Sequence, residues 1–182
     1  MKGEEKIPGE PEDEKVLHDM IDAPLGDRAK WKPKWPKLTD YFVEIGKAKI
    51  SHPGTDATVV THGRMAPLCL DAARRFKTDG KGSVEVIDLR SLIPYDWDAI
   101  KTSVKKTGRV LFVNEETEIT NFAEHLIRRL VDECFYELKA RPRLLAGKAT
   151  PGIGLSPNLE YFIQPQMKEV ERAMTDLLED PA

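Results

Sequence analysis

No stretch of this 182-residue chain approaches the about 20 consecutive apolar residues that cross a bilayer. Nor does it open like a secretory signal: Met1 to Glu14 is charged and has no apolar centre. Cysteine is scarce. Cys69 and Cys134 cannot build a disulfide framework or a C-x-x-C metal site, and both fall on apolar helical stripes where packed free thiols of a reducing compartment belong. Positive charge is not in excess: 28 Lys and Arg stand against 31 Asp and Glu, a formal net charge of −3, so there is no basic footprint for nucleic acid. The four histidines, His18, His52, His62 and His125, are scattered, and Glu124-His125 has no second histidine four residues away to complete a zinc helix. Phosphate-cradling G-x-G-x-x-G and G-x-x-x-x-G-K-[ST] motifs are missing, and so is the G-x-S-x-G of a serine nucleophile.

What remains is a chain long enough for one domain with an appendage, and 40% hydrophobic, enough for a core. It is organised around Arg109 to Leu138. Val110-Leu111-Phe112-Val113 is apolar at every position, the mark of a strand covered on both faces in a parallel sheet. Asn114 to Glu118 then breaks the run. From Ile119 the apolar residues Phe122, Ala123, Leu126, Ile127, Leu130, Val131, Cys134, Phe135 and Leu138 keep helical spacing, which predicts one apolar helix face. Asn121 and Glu124 have capping-box spacing at its start.

Around this unit the pattern alternates. Tyr41–Ile50 is a strand candidate closed by His52-Pro53-Gly54, and Ala57–Thr61 is a second strand. Met65, Leu68, Cys69, Ala72, Ala73 and Phe76 make a helix that tolerates Pro67 in its first turn. Val84–Leu92 is the next strand. Asp96 caps a short helix of Trp97, Ile100 and Val104, and Gly108 stops it. Arg143–Ala146 reads as a late strand, Pro151–Pro157 as a loop, and the chain closes on a helix from Pro165 through Leu178. Strands alternating with helices imply right-handed crossovers, a mostly parallel sheet and helices on both faces. Tyr41–Ile50 is joined too tightly to its successor to lie parallel beside it, so an antiparallel edge is expected. Residues 1–40, rich in charge and proline, read either as a disordered leader or as an arm anchored by Trp31 and Trp35.

Few residues offer chemistry. Thr61-His62-Gly63-Arg64 occupies a strand-to-helix turn where a helix N-terminus could hold an anion. Asp79-Gly80 reads as a turn. Glu115 and Glu116 fall at the carboxyl end of a central parallel strand, where α/β sheets bind ligands. Being adjacent, they point to opposite faces and cannot easily act as a pair. Residue chemistry alone gives an α/β domain without a self-contained active site.

At Val84-Glu-Val-Ile-Asp-Leu-Arg-Ser-Leu-Ile-Pro-Tyr-Asp96, followed by Ser103-Val104-Lys105-Lys106-Thr107 and Arg109, the chain resembles the C-terminal domain of the transketolase superfamily, in the form found in the beta subunit of 2-oxoacid dehydrogenases. Thr61-His-Gly-Arg-Met65, Thr120-Asn-Phe-Ala-Glu124 and Pro157–Glu160 fit the same pattern, and the likeness covers about residues 41–178. The resemblance implies a three-layer α/β/α sandwich whose five-stranded sheet has one antiparallel edge. It implies an enzyme that decarboxylates a 2-oxo acid on thiamine diphosphate and magnesium and passes the acyl group to a lipoyl group. In that family the diphosphate and metal lie on the alpha part, and the activating glutamate lies in the preceding pyrimidine-binding domain of the beta subunit. The implied role of residues 41–182 is therefore assembly and docking, without catalytic, cofactor or metal residues of their own. Residues 1–40 would lead in from the pyrimidine domain, the chain being part of a larger decarboxylase. Implied partners are the alpha part, the rest of the beta subunit, a second copy of this domain, and the subunit-binding domain of a dihydrolipoyl acyltransferase. The implied location is the bacterial cytoplasm or the mitochondrial matrix.

Val113–Glu124 resembles branched-chain or fused alpha-beta members more than pyruvate members, which are glycine-rich there. The family's docking contacts map to Lys139 and Arg141 and to the acidic tail Glu179, Asp180 and Ala182. His62, Arg64, Glu115 and Glu116 are candidates for a ligand or subunit contact at the sheet edge. Two departures stand out. The family commonly has Tyr or Trp before the glycine where this chain has His62, and a small residue where it has Arg64. Many relatives read Leu-Asp-Ala-Pro where this chain reads Leu138-Lys139-Ala140-Arg141-Pro142, exchanging an acid for a base. The alternatives are the equivalent domain of transketolase or deoxyxylulose-phosphate synthase, and a freestanding regulatory domain binding a small anion at Thr61–Met65.

Overall fold

The computed structural model describes Asp13, Lys15, Val16 and residues 42–152 and 154–180. Trp31, Trp35, Tyr41 and Ala182 lie outside the described residues. The chain divides into two units at Val43/Glu44, and the fold described is that of the second.

Five strands form one sheet in the order β1-β3-β2-β4-β5: β1 Lys49–His52, β2 Ala57–Thr61, β3 Val84–Asp88, β4 Val110–Thr117 and β5 Arg143–Gly147. All neighbours pair parallel except β1, which runs antiparallel to β3 at the edge. The tight β1–β2 connection has this consequence: β3 takes the place beside β1 that a short link denies to β2. The link turns on Gly54, where an added Cβ would stand 2.2 Å from the backbone of Val84 and Glu85.

Both faces are covered. On one, α1 (Met65–Thr78) and α5 (Met167–Glu179) pack Cys69, Phe76, Val170, Met174 and Leu177 on Val59, Val86, Leu111 and Val113. On the other, α2 (Trp97–Thr107) and α3 (Phe122–Cys134) pack Ile100, Val104, Leu126 and Leu130 on Val60, Ile87, Val110 and Phe112. The uninterrupted apolar run of β4 is thus divided between two cores, Val110 and Phe112 to one and Leu111 and Val113 to the other. This is the three-layer α/β/α sandwich expected. Cys69 and Cys134 are free and buried, and burial pushes the Cys69 thiol up to about 12, which makes it a packing group.

The caps follow the sequence. The Asp96 carboxylate accepts from Ala99 N–H, Gly108 ends α2 in the left-handed region, and Asn121 and Glu124 form the capping box of α3. Other boundaries moved. The strand placed at Tyr41–Ile50 forms only from Lys49 among the described residues, because Gly46 turns the chain at φ 81. The strand from Val84 stops at Asp88, not Leu92: Arg90 adopts φ 57. The helix read from Ile119 begins at Phe122 and gives way to a 3-10 turn over Phe135–Glu137. The Pro151–Pro157 loop leads into a short helix, α4 (Pro157–Ile163), capped by Ser156; with proline in its first turn and seven residues in length it leaves little periodicity to read. The last helix starts at Met167, two residues after Pro165.

One ion pair between a buried acid and a partly exposed lysine ties β3 to α2. The Glu85 side chain is 4% exposed and accepts from Lys106 Nζ at 2.5 Å. Burial alone would raise its pKa, but the bonds from Lys106 and Ser103 and the Lys106 charge outweigh it and hold the carboxyl below its ordinary value. A depressed folded value stabilises above the unfolded value of about 4.3, and the contribution is lost as pH falls through the folded value. Glu85→Gln should cost about 1–3 kcal/mol at pH 7 and flatten the acid side of the stability curve, read from thermal midpoints between pH 7 and pH 3.

Candidate functional site

The carboxyl edge of the sheet gathers the residues that the sequence singled out. β2 ends at Thr61 and α1 begins at Met65, so His62, Gly63 and Arg64 form the turn between them. Gly63 takes φ 59, and the Glu115 Oε1 stands 3.7 Å from where its Cβ would be. Glu116 Oε2 accepts from Phe122 N–H at 3.2 Å, and its Oε1 lies 3.9 Å from His62 Nε2. Both carboxylates thus lie beside the His62–Gly63 turn, in the stretch where β4 shifts register against β5 between Val113 and Thr117. His62 Nε2 is buried without a hydrogen-bond partner among the described residues, and its ring meets the edge of Phe122. Arg64 is turned onto α4, bonding the Glu160 carboxylate at 3.2 Å and the Gln164 side chain.

This arrangement opposes an anion. The Glu115 carboxylate stands by Gly63 and that of Glu116 by His62, just ahead of α1, and the neighbouring Arg64 guanidinium is paired with α4. Among the described residues no group of three His, Cys, Asp or Glu is placed to hold a metal ion. The donor set does not fit a diphosphate with magnesium.

Sequence reasoning missed a cluster beside this edge. Tyr95 Oη accepts from Arg129 at 2.9 Å and shares a hydrogen bond of 2.8 Å with His125 Nε2. The Arg129 guanidinium lies 4.3 Å from the Trp97 ring centre, and Trp97 Nε1 donates to Glu133 at 2.8 Å. Arg129 and the Trp97 N–H together bring the Glu133 carboxyl down to about 2. The cluster clamps α2 to α3. The i, i+4 spacing of Arg129 and Glu133 was its only signal in sequence.

The second group lies at the opposite end of α3. Lys139 N–H donates to Gly108 O at 2.7 Å, and the Lys139 stem packs where a Gly108 Cβ would be. Arg141 and Arg143 both donate to Asp180 Oδ2, at 3.3 and 2.9 Å. Arg143 and then Arg141 hold the Asp180 carboxyl below its ordinary range. Glu179 is exposed at the end of α5. The structure thus joins two predicted contacts to each other: the tail acid Asp180 is already bonded to Arg141. Beside them Val131, Phe135, Tyr136, Leu138, Lys139, Ala140, Arg141 and Pro142 line an open groove of about 610 Å³. Val131 and Phe135, placed by periodicity on the buried stripe, are 39% and 59% exposed, and Tyr136 is 96% exposed. The stripe was wider than the sheet could cover.

The fold and its edge define a three-layer α/β domain whose sheet edge carries His62, Arg64, Glu115 and Glu116 and whose groove at the carboxyl end of α3 is bordered by the exposed Phe135 and Tyr136. The profile of the transketolase C-terminal domain matches residues 46–170, and the chain belongs to that family. It is 36% identical over 140 residues to the 2-oxoisovalerate dehydrogenase subunit beta of Bacillus subtilis, spanning 77% of this chain and 42% of that subunit. It is also 36% identical over 139 residues to the pyruvate dehydrogenase E1 component subunit beta of Rhizobium meliloti, spanning 76% and 30%. The chain therefore spans less than half the length of these relatives. Among solved structures, a split-gene transketolase described as an inactive beta4 tetramer superposes with a TM-score of 0.68 over 82% of this chain and 48% of its own, at 22% identity. That likeness speaks for the fold alone.

Proposed function

We propose that residues 41–182 are the C-terminal assembly and docking domain of a 2-oxoacid dehydrogenase beta subunit, acting on a branched-chain 2-oxo acid, with residues 1–40 leading into it. The observation that carries this reading is the similarity to 2-oxoisovalerate and pyruvate dehydrogenase beta subunits. The 3-methyl-2-oxobutanoate dehydrogenase subunit beta of Mycobacterium tuberculosis, 38% identical over 107 residues, favours the branched-chain form.

The holoenzyme's thiamine diphosphate and magnesium would supply the decarboxylation from the alpha part and the pyrimidine-binding domain. This domain's own residues contribute surfaces: the sheet edge with His62, Arg64, Glu115 and Glu116 for subunit contact, including contact with a second copy, and the Lys139–Arg141 and Glu179–Ala182 region for a dihydrolipoyl acyltransferase. Among the described residues no helix is long and apolar enough to cross a membrane; a bacterial cytoplasm or a mitochondrial matrix would house such a complex.

Co-expression with a tagged alpha part and a pyrimidine-binding domain of a branched-chain enzyme tests the reading. The chain should co-purify with them in stoichiometric amount. No association under conditions where the chain itself is folded would overturn it.

A further inference from the structure

We infer that Tyr95 and His125 form an acid-sensitive latch: the neutral imidazole holds the loop ahead of α2 against α3, and its protonation releases that loop. The inference stands on this chain alone and does not depend on the dehydrogenase reading. The latch joins parts that the sequence keeps thirty residues apart. Tyr95 closes the loop from Ser91, whose Oγ donates to Pro94 O and accepts Gly46 N–H, each at 2.8 Å. His125 is an exposed residue near the start of α3. Hydrogen-bond accounting sets the direction of the bond between them. Arg129 can only donate, so Tyr95 Oη accepts there at 2.9 Å, and its single proton is left for His125 Nε2 at 2.8 Å. The imidazole that accepts it carries its own proton on Nδ1.

An imidazolium has no accepting nitrogen. Its Nε2–H and the Tyr95 O–H would point at each other. The contact would survive only with the Tyr95 proton turned away and two cations on one oxygen. A positive charge near the N-terminus of α3 also opposes the helix dipole. The charged groups around the pair are committed elsewhere. Arg129 is held by Glu133 at 2.7 Å, and Glu133 also accepts from Lys101 of α2 and from the Trp97 N–H. With its carboxyl brought down to about 2, Glu133 keeps its charge and its hold on Arg129 when His125 titrates. Asp96, next to Tyr95, accepts from Ala48 N–H and Ala99 N–H, and Arg128 is paired with Asp132. The Phe122 ring meets those of Tyr95, His125 and His62. On that side Glu116 accepts from Phe122 N–H, and Glu124 accepts from Asn121 N–H.

Trp97 can report the latch, because its ring lies 4.3 Å from the guanidinium that also donates to Tyr95 and is only 7% exposed. Trp31→Phe with Trp35→Phe leaves it the one tryptophan of the full chain. In that background, lowering pH from about 8 to about 5 spans the range in which imidazole ordinarily changes charge. Acrylamide quenching of Trp97 should rise about twofold across it as the loop opens locally, with an unchanged circular dichroism spectrum. His125→Gln, whose side-chain oxygen can take the Tyr95 proton at any pH, should keep the low value throughout. His125→Lys, a permanent cation without an acceptor, should keep the high value; where that variant fails to fold, the Gln comparison decides alone. Proton–nitrogen correlation spectra should show His125 protonated on Nδ1 at the alkaline end, a preference lost in Tyr95→Phe. A flat quenching curve, an equal response in His125→Gln, or a neutral His125 protonated on Nε2 would overturn the inference.

Discussion

Leu130→Ala should lower the stability of the chain by about 2–5 kcal/mol, the range for truncating a fully buried leucine. Leu130 has 0% exposure and Leu126 1%; both fill the core between α2, α3 and the sheet, against Ile100, Val110 and Phe112. The neighbouring turns are too well packed to collapse into the space, so lost transfer energy and a residual cavity add. Val131→Ala, one residue away but 39% exposed, should cost less than about 1 kcal/mol. Urea denaturation with an unchanged slope reads both. A Leu130 effect below about 0.5 kcal/mol, or equal effects at 130 and 131, would show that this face of α3 is not core. The same measurement is made without cofactor, because both cores are closed by this chain's own helices.

The pair Leu130 and Val131 also marks how far the sequence could be read. Inward positions in strands were legible from their apolar and β-branched runs: Val59, Val86, Leu111 and Val113 are all at most 1% exposed, although Thr58 and Glu85 are buried among them. The α3 face was legible in phase but not in width. Periodicity says which side of a helix is apolar, and only tertiary packing says how much of that side the sheet covers. Hence Phe135, at helical spacing, ended outside, and a groove appeared where a core had been drawn. Strand ends were misread where backbone conformation decided them: Arg90 at φ 57 stops β3 although Leu89 beyond it is still buried. At the sheet edge strand alternation was no guide to Glu115 and Glu116, because β4 shifts register against β5 between Val113 and Thr117. The pairing of Arg64 with Glu160 and Gln164, almost a hundred residues away in sequence, left no local trace. The bond between Asp180 and Arg141 likewise joins two sites that the sequence treated as separate.

Thiamine diphosphate with magnesium should give only heat of dilution when titrated into the isolated chain, and the chain alone should decarboxylate no 2-oxo acid. The charges at the N-terminus of α1, on the carboxyl edge of the sheet, give the reason. Ligands of open α/β sheets bind outside the carboxyl ends of the strands, and a helix N-terminus there attracts anions through its unpaired N–H groups. In this chain the N-terminus of α1 looks onto Glu115 across Gly63, while Glu116 holds the adjacent Phe122 N–H. Arg64, the cation that would offset them, is committed to α4. A diphosphate would meet two carboxylates before any free cation, and like charges in contact cost more than a helix N-terminus returns. Adding the alpha part and a pyrimidine-binding domain should convert no turnover into measurable lipoyl reduction, with this domain needed for the assembled state. Saturable micromolar binding by the chain alone would overturn the charge argument. Glu115→Gln would then be the decisive variant: an anion held at this turn should bind it more tightly, and a site elsewhere should not respond.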